Sequence, residues 1–523
     1  MSFPLRVLWV ALSLSIGWGI RGNFGHEIGA LLPGALAAMA AVLLSGRTDW
    51  HRRLPFFALA GALGWSIGGC MSYMQVIAYT HSGHSLTQAY GFACLFVLGF
   101  LWAAIGGATT ALPAFLDRRR LTDFFAPLGA VLVAWILEEI MVAIWFNVNA
   151  DYRQESPLYW YDTSWLETAG VFVGVLGLAA LRRRWDSASS LLLHGAVGWW
   201  LGFLILVVGL GLRMTPPRGD NWAGCIGTVI GIWVWSWRQG LPGVTFVSLL
   251  TGLIGGFGFA TATLIKLTGM TTGWETNWHS ILEQSYGLIN GVGIAVALFW
   301  LARRIPRVTE EPALRPWADP LAAGLVVLGI TFFNLRQNPP VWIQTKSVLP
   351  VLLGLSTQTW FDLAYLLLAL AFVVLVIRHR RQPLALVPST WLGCGQWLYL
   401  TLLWWMVVGN FERAVVSFAP QRLVTEGVIH LNAVLCTLGI LLGASANTPF
   451  VPSDPSSAIP WSRVLRRTAI FGTTLMLLSV AADWAAVRAI YGDRFPGQAR
   501  KHIRFGPNAN APTAKPAPGQ PHP

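Results

Sequence analysis

Along the chain, apolar runs of roughly 20 residues follow one another with short polar links, and a run of that length crosses a hydrocarbon core of about 30 Å. Fifteen such runs can be read from the sequence. The first eight lie near 5–21, 27–46, 54–79, 88–115, 123–147, 167–182, 190–212 and 222–238. The remaining seven lie near 244–268, 282–302, 318–335, 358–377, 389–409, 422–443 and 464–489. Residues 341–357 are apolar but short and interrupted by proline, which predicts an interfacial or re-entrant helix. Because the runs are continuous and not alternating, a β-barrel is excluded. The expected fold is an all-α polytopic membrane protein.

The pattern also repeats, with a period of about 192–196 residues. The first run ends WGIRG and the seventh LGLRM, which aligns Arg21 with Arg213. The fourth opens TQAYGF and the tenth EQSYGL, matching Gln88, Tyr90 and Gly91 to Gln284, Tyr286 and Gly287. A third, partial copy starts at WWMVVGNFER, where Arg413 takes the same place. These matches predict two parallel six-helix repeats, 1–187 and 188–382, and a three-helix C-terminal unit, 383–490. Residues 491–523 read as a disordered, basic, Pro-rich tail.

Composition agrees with the pattern. Apolar residues make up 54 % of 523 and charged residues 11 %, against about 25 % charged in soluble proteins. The net charge of +13 lies in short clusters between the runs, so it reports orientation and not nucleic-acid binding. Even-numbered links hold 20 basic residues, among them Arg47, Arg52 and Arg53, and odd-numbered links about 8. The positive-inside rule therefore predicts a multi-pass protein of the cell (inner) membrane with a cytoplasmic N-terminus. The five cysteines lie within apolar runs without metal or redox spacing and read as core residues.

Candidate chemistry gathers at the links expected to face outward. The first, Gly17 to Gly34 (GWGIRGNFGHEIGALLPG), packs Arg21, Asn23, His26 and Glu27 into one turn. An ion at a membrane boundary is costly and has a partner or a task. Arg21, Arg213 and Arg413 offer N–H forks suited to carboxylate or phosphate. His26 beside Glu27, with Asp220 and Asn221 in the second copy, can relay protons, as a histidine changes charge near neutral pH. Glu426 and His430 stand at the third place. Glu138 and Glu139 lie deep in the fifth run. Adjacent helical positions diverge, so one of these carboxyls is expected to face the interior and couple protons. Outer strings such as TTGWETNWHS (271–280) and FFNLRQNPPVWIQTK (332–346) mix aromatics with amides, a mixture that grips sugar rings and also forms interface belts.

No phosphate-binding loop or HxxxH metal spacing is present, so no cofactor or metal is expected. The expected function is a secondary transporter for a small anionic or sugar-like solute. Arg21, Asn23, His26, Glu27, Gln88, Arg213, Asp220, Asn221, Gln284 and Arg413 would bind it, and Glu138 or Glu139 would couple protons. The alternative is an integral-membrane enzyme, a glycosyl- or other group transferase, with an outer-face site for a lipid-linked or envelope substrate. The expected partners are the bilayer and that substrate.

Overall fold

The structure, a computed structural model, describes residues 1–146, 158–214, 219–308, 315–383, 387–417, 420–444 and 459–492. Of the expected tail, 491–523, residues 493–523 lie outside the described residues, as do Arg153 and Arg218 of the links expected to face outward. Helices come first in chain order as α1 (Phe3–Arg21), α2 (Glu27–Leu44), α3 (Thr48–Arg52), α4 (Leu54–Gly68) and α5 (Met74–Thr80). There follow α6 (Ser85–Phe115), α7 (Arg118–Thr122), α8 (Phe125–Phe146), α9 (Trp165–Arg182) and α10 (Ser187–Gly202). Next are α11 (Asn221–Arg238), α12 (Pro242–Met270), α13 (Trp278–Ala302), α14 (Ala318–Gly324) and α15 (Ile330–Leu335). The last are α16 (Asn338–Gln344), α17 (Thr357–Arg381), α18 (Trp391–Val416), α19 (Pro420–Gly443) and α20 (Trp461–Tyr491). Among the described residues, 13 helical segments are long and apolar enough to cross a membrane. The chain is an all-α, multi-pass membrane protein in composition and form.

Two stretches differ from the expected pattern. The run at 54–79 is broken: α4 stops at Gly68 and α5 resumes at Met74. Gly69 packs there against the carbonyl of His26, so the break brings the backbone onto the α1–α2 turn. The 341–357 segment is not one interfacial helix. It holds the end of α16 and a hairpin of two short strands, Val351–Leu352 and Leu355–Ser356. Leu353 and Gly354 between them both have positive φ, the geometry that matches strand twist in a two-residue hairpin. A π-helical turn, Leu325–Gly329, links α14 to α15, and another, Phe203–Gly209, extends α10.

The chain divides into two compact units. Unit 1 comprises residues 1–70, 95–124 and 236–492. Within it α1 packs against α2 and α13, α2 against α4, and α12 against α13 and α20. Unit 2 comprises 71–94 and the described residues of 125–235. Its helices α8, α9 and α10 pack in sequence. Trp199, Phe203, Val207 and Ala223 form its core, under Trp160, Trp165, Trp200 and Trp222.

Two of the arginines expected to mark orientation are interior. Arg47 and Arg53 are 3 % and 0 % exposed. Arg47 holds Asp49 through Nε and Nη2, both at 2.8 Å, and donates to the carbonyls of Ala302 and Ile305 at 3.1 and 2.9 Å. Arg53 donates to Asp49 Oδ2 at 3.0 Å and to the carbonyls of Pro113 and Leu116. The last carbonyls of α6 and α13 have no intrahelical partner and lie at the negative end of the helix dipole. One carboxylate and two guanidiniums thus cap two helices and fasten them to α3. Burial alone would raise the pKa of Asp49, but Arg47 and Arg53 outweigh it and hold the carboxyl below its ordinary 3.8.

This clamp yields two predictions. Arg47→Met, which strands Asp49 in the interior, should cost about 3–5 kcal/mol of stability, read from unfolding midpoints in detergent. Because the folded pKa of Asp49 is depressed, its contribution is complete above 3.8 and is lost as pH falls through the lower folded value. Asp49→Asn should therefore flatten the acid limb of the stability curve. An unchanged limb would show that the clamp does not act through this carboxylate.

Candidate functional site

The turn between α1 and α2 is the polar centre of unit 1. Its shape depends on two glycines. Gly25 has φ +87°, a conformation open to glycine at no steric cost. At Gly22 a side chain would run into the Glu283 carboxylate. Glycine there lets that carboxylate reach Arg21.

Arg21 is 1 % exposed and its guanidinium lies over the rings of Trp18 and Trp102, 4.9 Å from each centroid. Nη1 donates to Glu283 Oε1 at 2.8 Å, and Nη2 is 2.7 Å from His26 Nδ1. A guanidinium can only donate. His26 Nδ1 is therefore the acceptor, and its proton sits on Nε2. His279 Nε2 lies 3.6 Å from Glu283 Oε1. Lys266 of α12 acts on the same carboxylate, and Arg21 on Glu27. Arg21, Lys266, Glu27 and Glu283 therefore make two cations against two carboxylates in one cluster. Beneath it Trp18 packs against Trp65, Trp102 and Tyr286 with centroids 4.6 to 6.0 Å apart.

Helices α18 and α19 reach the same turn from another side. Arg422 donates to Asn23 Oδ1 at 2.8 Å, and Asn23 Nδ2 to Asn410 Oδ1 at 2.6 Å. Asn410 in turn donates to Glu426. Arg413 lies over the Phe24 ring at 5.1 Å and contacts Asn338, whose amide donates to the carbonyl of Gly409. Gln284 ties α13 to α19 by donating to Ser280 Oγ and to the carbonyl of Thr425. The structure thus brings Arg21, Asn23, His26, Glu27, Gln284 and Arg413 together.

Beside the turn lies a cavity of about 570 Å³. Its polar lining is Glu27, Arg336, Gln337 and Gln358, and its apolar lining includes Phe24, Ile28, Phe333 and Pro340. Gln337 donates to the carbonyl of Phe24 at 3.2 Å. Arg336 is half exposed and stands 3.8 Å from Asp362. Phe333, Arg336, Gln337 and Pro340 all come from the amide-rich string at 332–346, which follows the π-helical turn at Leu325–Gly329. Such turns recur at functional sites.

Unit 2 holds the remaining residues singled out by sequence. Arg213 bonds the Asp220 carboxylate and lies over the Tyr161 ring at 4.7 Å. Asp220 is fully buried and also accepts from the Met214 amide and the Trp222 indole at 2.9 and 3.0 Å. Burial dominates and raises its pKa, with Arg213 and those donors pulling the other way. Asn221 joins α11 to α9 through the amide and hydroxyl of Ser164. Gln88 is buried with neither amide atom bonded among the described residues. On α8, Glu138 is half-buried and Glu139 exposed, the divergence expected of neighbours on a helix. Glu167 of α9 is the charged group nearest in effect to Glu138.

Sequence reading passed over Glu283 and His279. Glu283 stands directly before Gln284, which the repeat did mark, and its signal was a carboxylate 1.5 turns inside an apolar helix. Among the described residues no group of three or more His, Cys, Asp or Glu is placed to hold a metal. Comparison with protein-family models, with curated proteins and with solved structures finds no match.

Glu283→Gln should destabilise the protein by about 3–5 kcal/mol, because Arg21 stays buried without its countercharge. The double variant Arg21→Met/Glu283→Leu should recover much of that loss. Unfolding midpoints of the three variants measure both, and a double variant worse than the single would refute the pairing.

Proposed function

We propose that the α1–α2 end of unit 1 faces outward and that its cavity is the site of a membrane-bound group transferase. Its substrate is a lipid-linked or cell-envelope molecule with an anionic group. The observation that carries this reading is that Glu27 and Arg336 line one cavity together with the apolar side chains of Phe24, Ile28, Phe333 and Pro340. A site lined by both polar and apolar groups suits a substrate held at the membrane surface.

In this reading Arg336 binds the departing phosphate or carboxylate. Glu27 takes the proton of an acceptor hydroxyl, whose oxygen bonds to the transferred group as the anion leaves. Purified protein in lipid, given a panel of lipid-linked sugar phosphates and glycan acceptors, should form product detectable by mass spectrometry. Glu27→Gln should lower the rate at least 100-fold, in line with the loss of a general base. Arg336→Lys should chiefly raise KM.

A second reading, secondary transport of a small anionic or sugar-like solute, is favoured by one observation in unit 2. Glu138 is half-buried beside Glu167, and its Oε2 is buried without a hydrogen bond. In that reading Glu138 couples protons. Uptake into proteoliposomes that depends on a pH gradient and is lost in Glu138→Gln would favour transport over transfer.

Either reading retains the duplication. Its support is that all three aligned arginines, Arg21, Arg213 and Arg413, lie over aromatic rings, and that the first two are bonded to carboxylates.

A further inference from the structure

The longest apolar helix of the C-terminal region contains a carboxyl group that the site described above does not use. In α20, residues 468–487 run between Arg467 and Arg488, and Asp483 is the one charged residue among them. At about 1.5 Å per residue, those 20 residues span one hydrocarbon core. The buried positions of α20 are Gly472, Ser479, Asp483 and Val487, spaced seven, four and four apart, so they form a single stripe.

That stripe docks on α12, and three contacts set the register. Trp461 stacks near Phe246 with centroids 6.2 Å apart, Gly472 meets Leu253, and the Tyr491 hydroxyl donates to the carbonyl of Leu267 at 2.9 Å. The two helices therefore run parallel, and Asp483 falls opposite the part of α12 between Leu253 and Leu267. Along that part the charged residue is Lys266, which interacts with Glu283 on α13. The cations of α20 itself stand at its ends: Arg463, Arg466 and Arg467 at the start, and Arg488, lying over Trp484, at the finish. Tyr491 is engaged with Leu267.

Asp483 is 5 % exposed, its Oδ2 is buried, and its side chain makes no hydrogen bond or ion pair among the described residues. The hydroxyl of Thr261, on the facing stretch of α12, is also buried and unbonded. A carboxylate in that position would have no countercharge among the described residues and one oxygen shut off from solvent, and a buried ion without a partner is far more costly than the neutral acid. A neutral acid has one O–H to donate and a carbonyl to accept, which suits a place beside a hydroxyl.

From this placement we propose that Asp483 is a proton-binding site in the α12–α20 contact, occupied at neutral pH. The ligand is the proton itself. Its release leaves an uncompensated anion in the stripe that holds α20 to α12, so protonation and the docking of α20 are linked. The proposal is independent of the reaction assigned to the cavity.

Infrared difference spectroscopy on the full chain in lipid vesicles tests it. Wild type minus Asp483→Asn at about pH 7 should show the carbonyl stretch of a protonated carboxyl, shifted on exchange into heavy water, and raising the pH should remove that band. A difference spectrum with only carboxylate bands at the same pH would overturn the proposal. Stability gives a second readout. Asp483→Leu should unfold no earlier than wild type, since an apolar residue replaces a neutral acid. A markedly lower midpoint would mean that the variant broke an ion pair, and would also overturn the proposal.

Discussion

The organisation of unit 1 follows from one costly decision, the placement of a guanidinium inside an apolar bundle. Arg21 cannot shed its charge, so everything around it must compensate. The rings of Trp18 and Trp102 lie together against it, Glu283 supplies the opposite charge, and His26 accepts a further N–H. Each partner imposes a condition on the chain. Glu283 needs glycine at position 22 to approach, and His26 needs the turn at Gly25 to fold back. The pair thus fixes where α1 ends, where α2 begins and which face of α13 meets them. Asn23 and Phe24, held in place by that turn, give α18 and α19 something to grip.

Much of this was legible from residue order alone. Long apolar runs announced the helices, and the polar turn at Gly17–Gly34 announced where charged side chains gather, because charges at a membrane boundary stand out against their surroundings. Helical periodicity also separated Glu138 from Glu139. What the order of residues could not convey was partnership across hundreds of positions. Glu283 is 262 residues from Arg21, and its place inside an apolar helix marks it as unusual without naming its partner. Arg47 and Arg53 show the converse. Their clustering beside an apolar run reads as a topology signal, whereas they are interior caps on α6 and α13. The break after Gly68 was hidden for a similar reason, since glycines continue an apolar run in composition while allowing the backbone to leave the helix.

The two ends of unit 1 solve the same electrostatic problem differently. At the α3 end, one carboxylate and two guanidiniums satisfy helix carbonyls, and the arrangement is saturated. At the α1–α2 end, Arg21 and Glu283 are as deeply set, yet Glu27 is exposed and lines a cavity together with Arg336. Saturated polar groups stabilise a fold, and unsaturated ones leave donors and acceptors for something else. That contrast separates a clamp from a site when both are built of arginine and carboxylate.

The distance between paired groups also bears on how the protein is made. Arg47 caps carbonyls about 255 residues further on, and Arg21 waits for Glu283. A ribosome delivers α1 and α2 to the membrane long before α13 exists. For that interval the first hairpin holds three guanidiniums, those of Arg21, Arg47 and Arg53, whose final partners are incomplete. Arrival of α13 would settle both ends of that hairpin at once, which makes α13 the timing element of assembly.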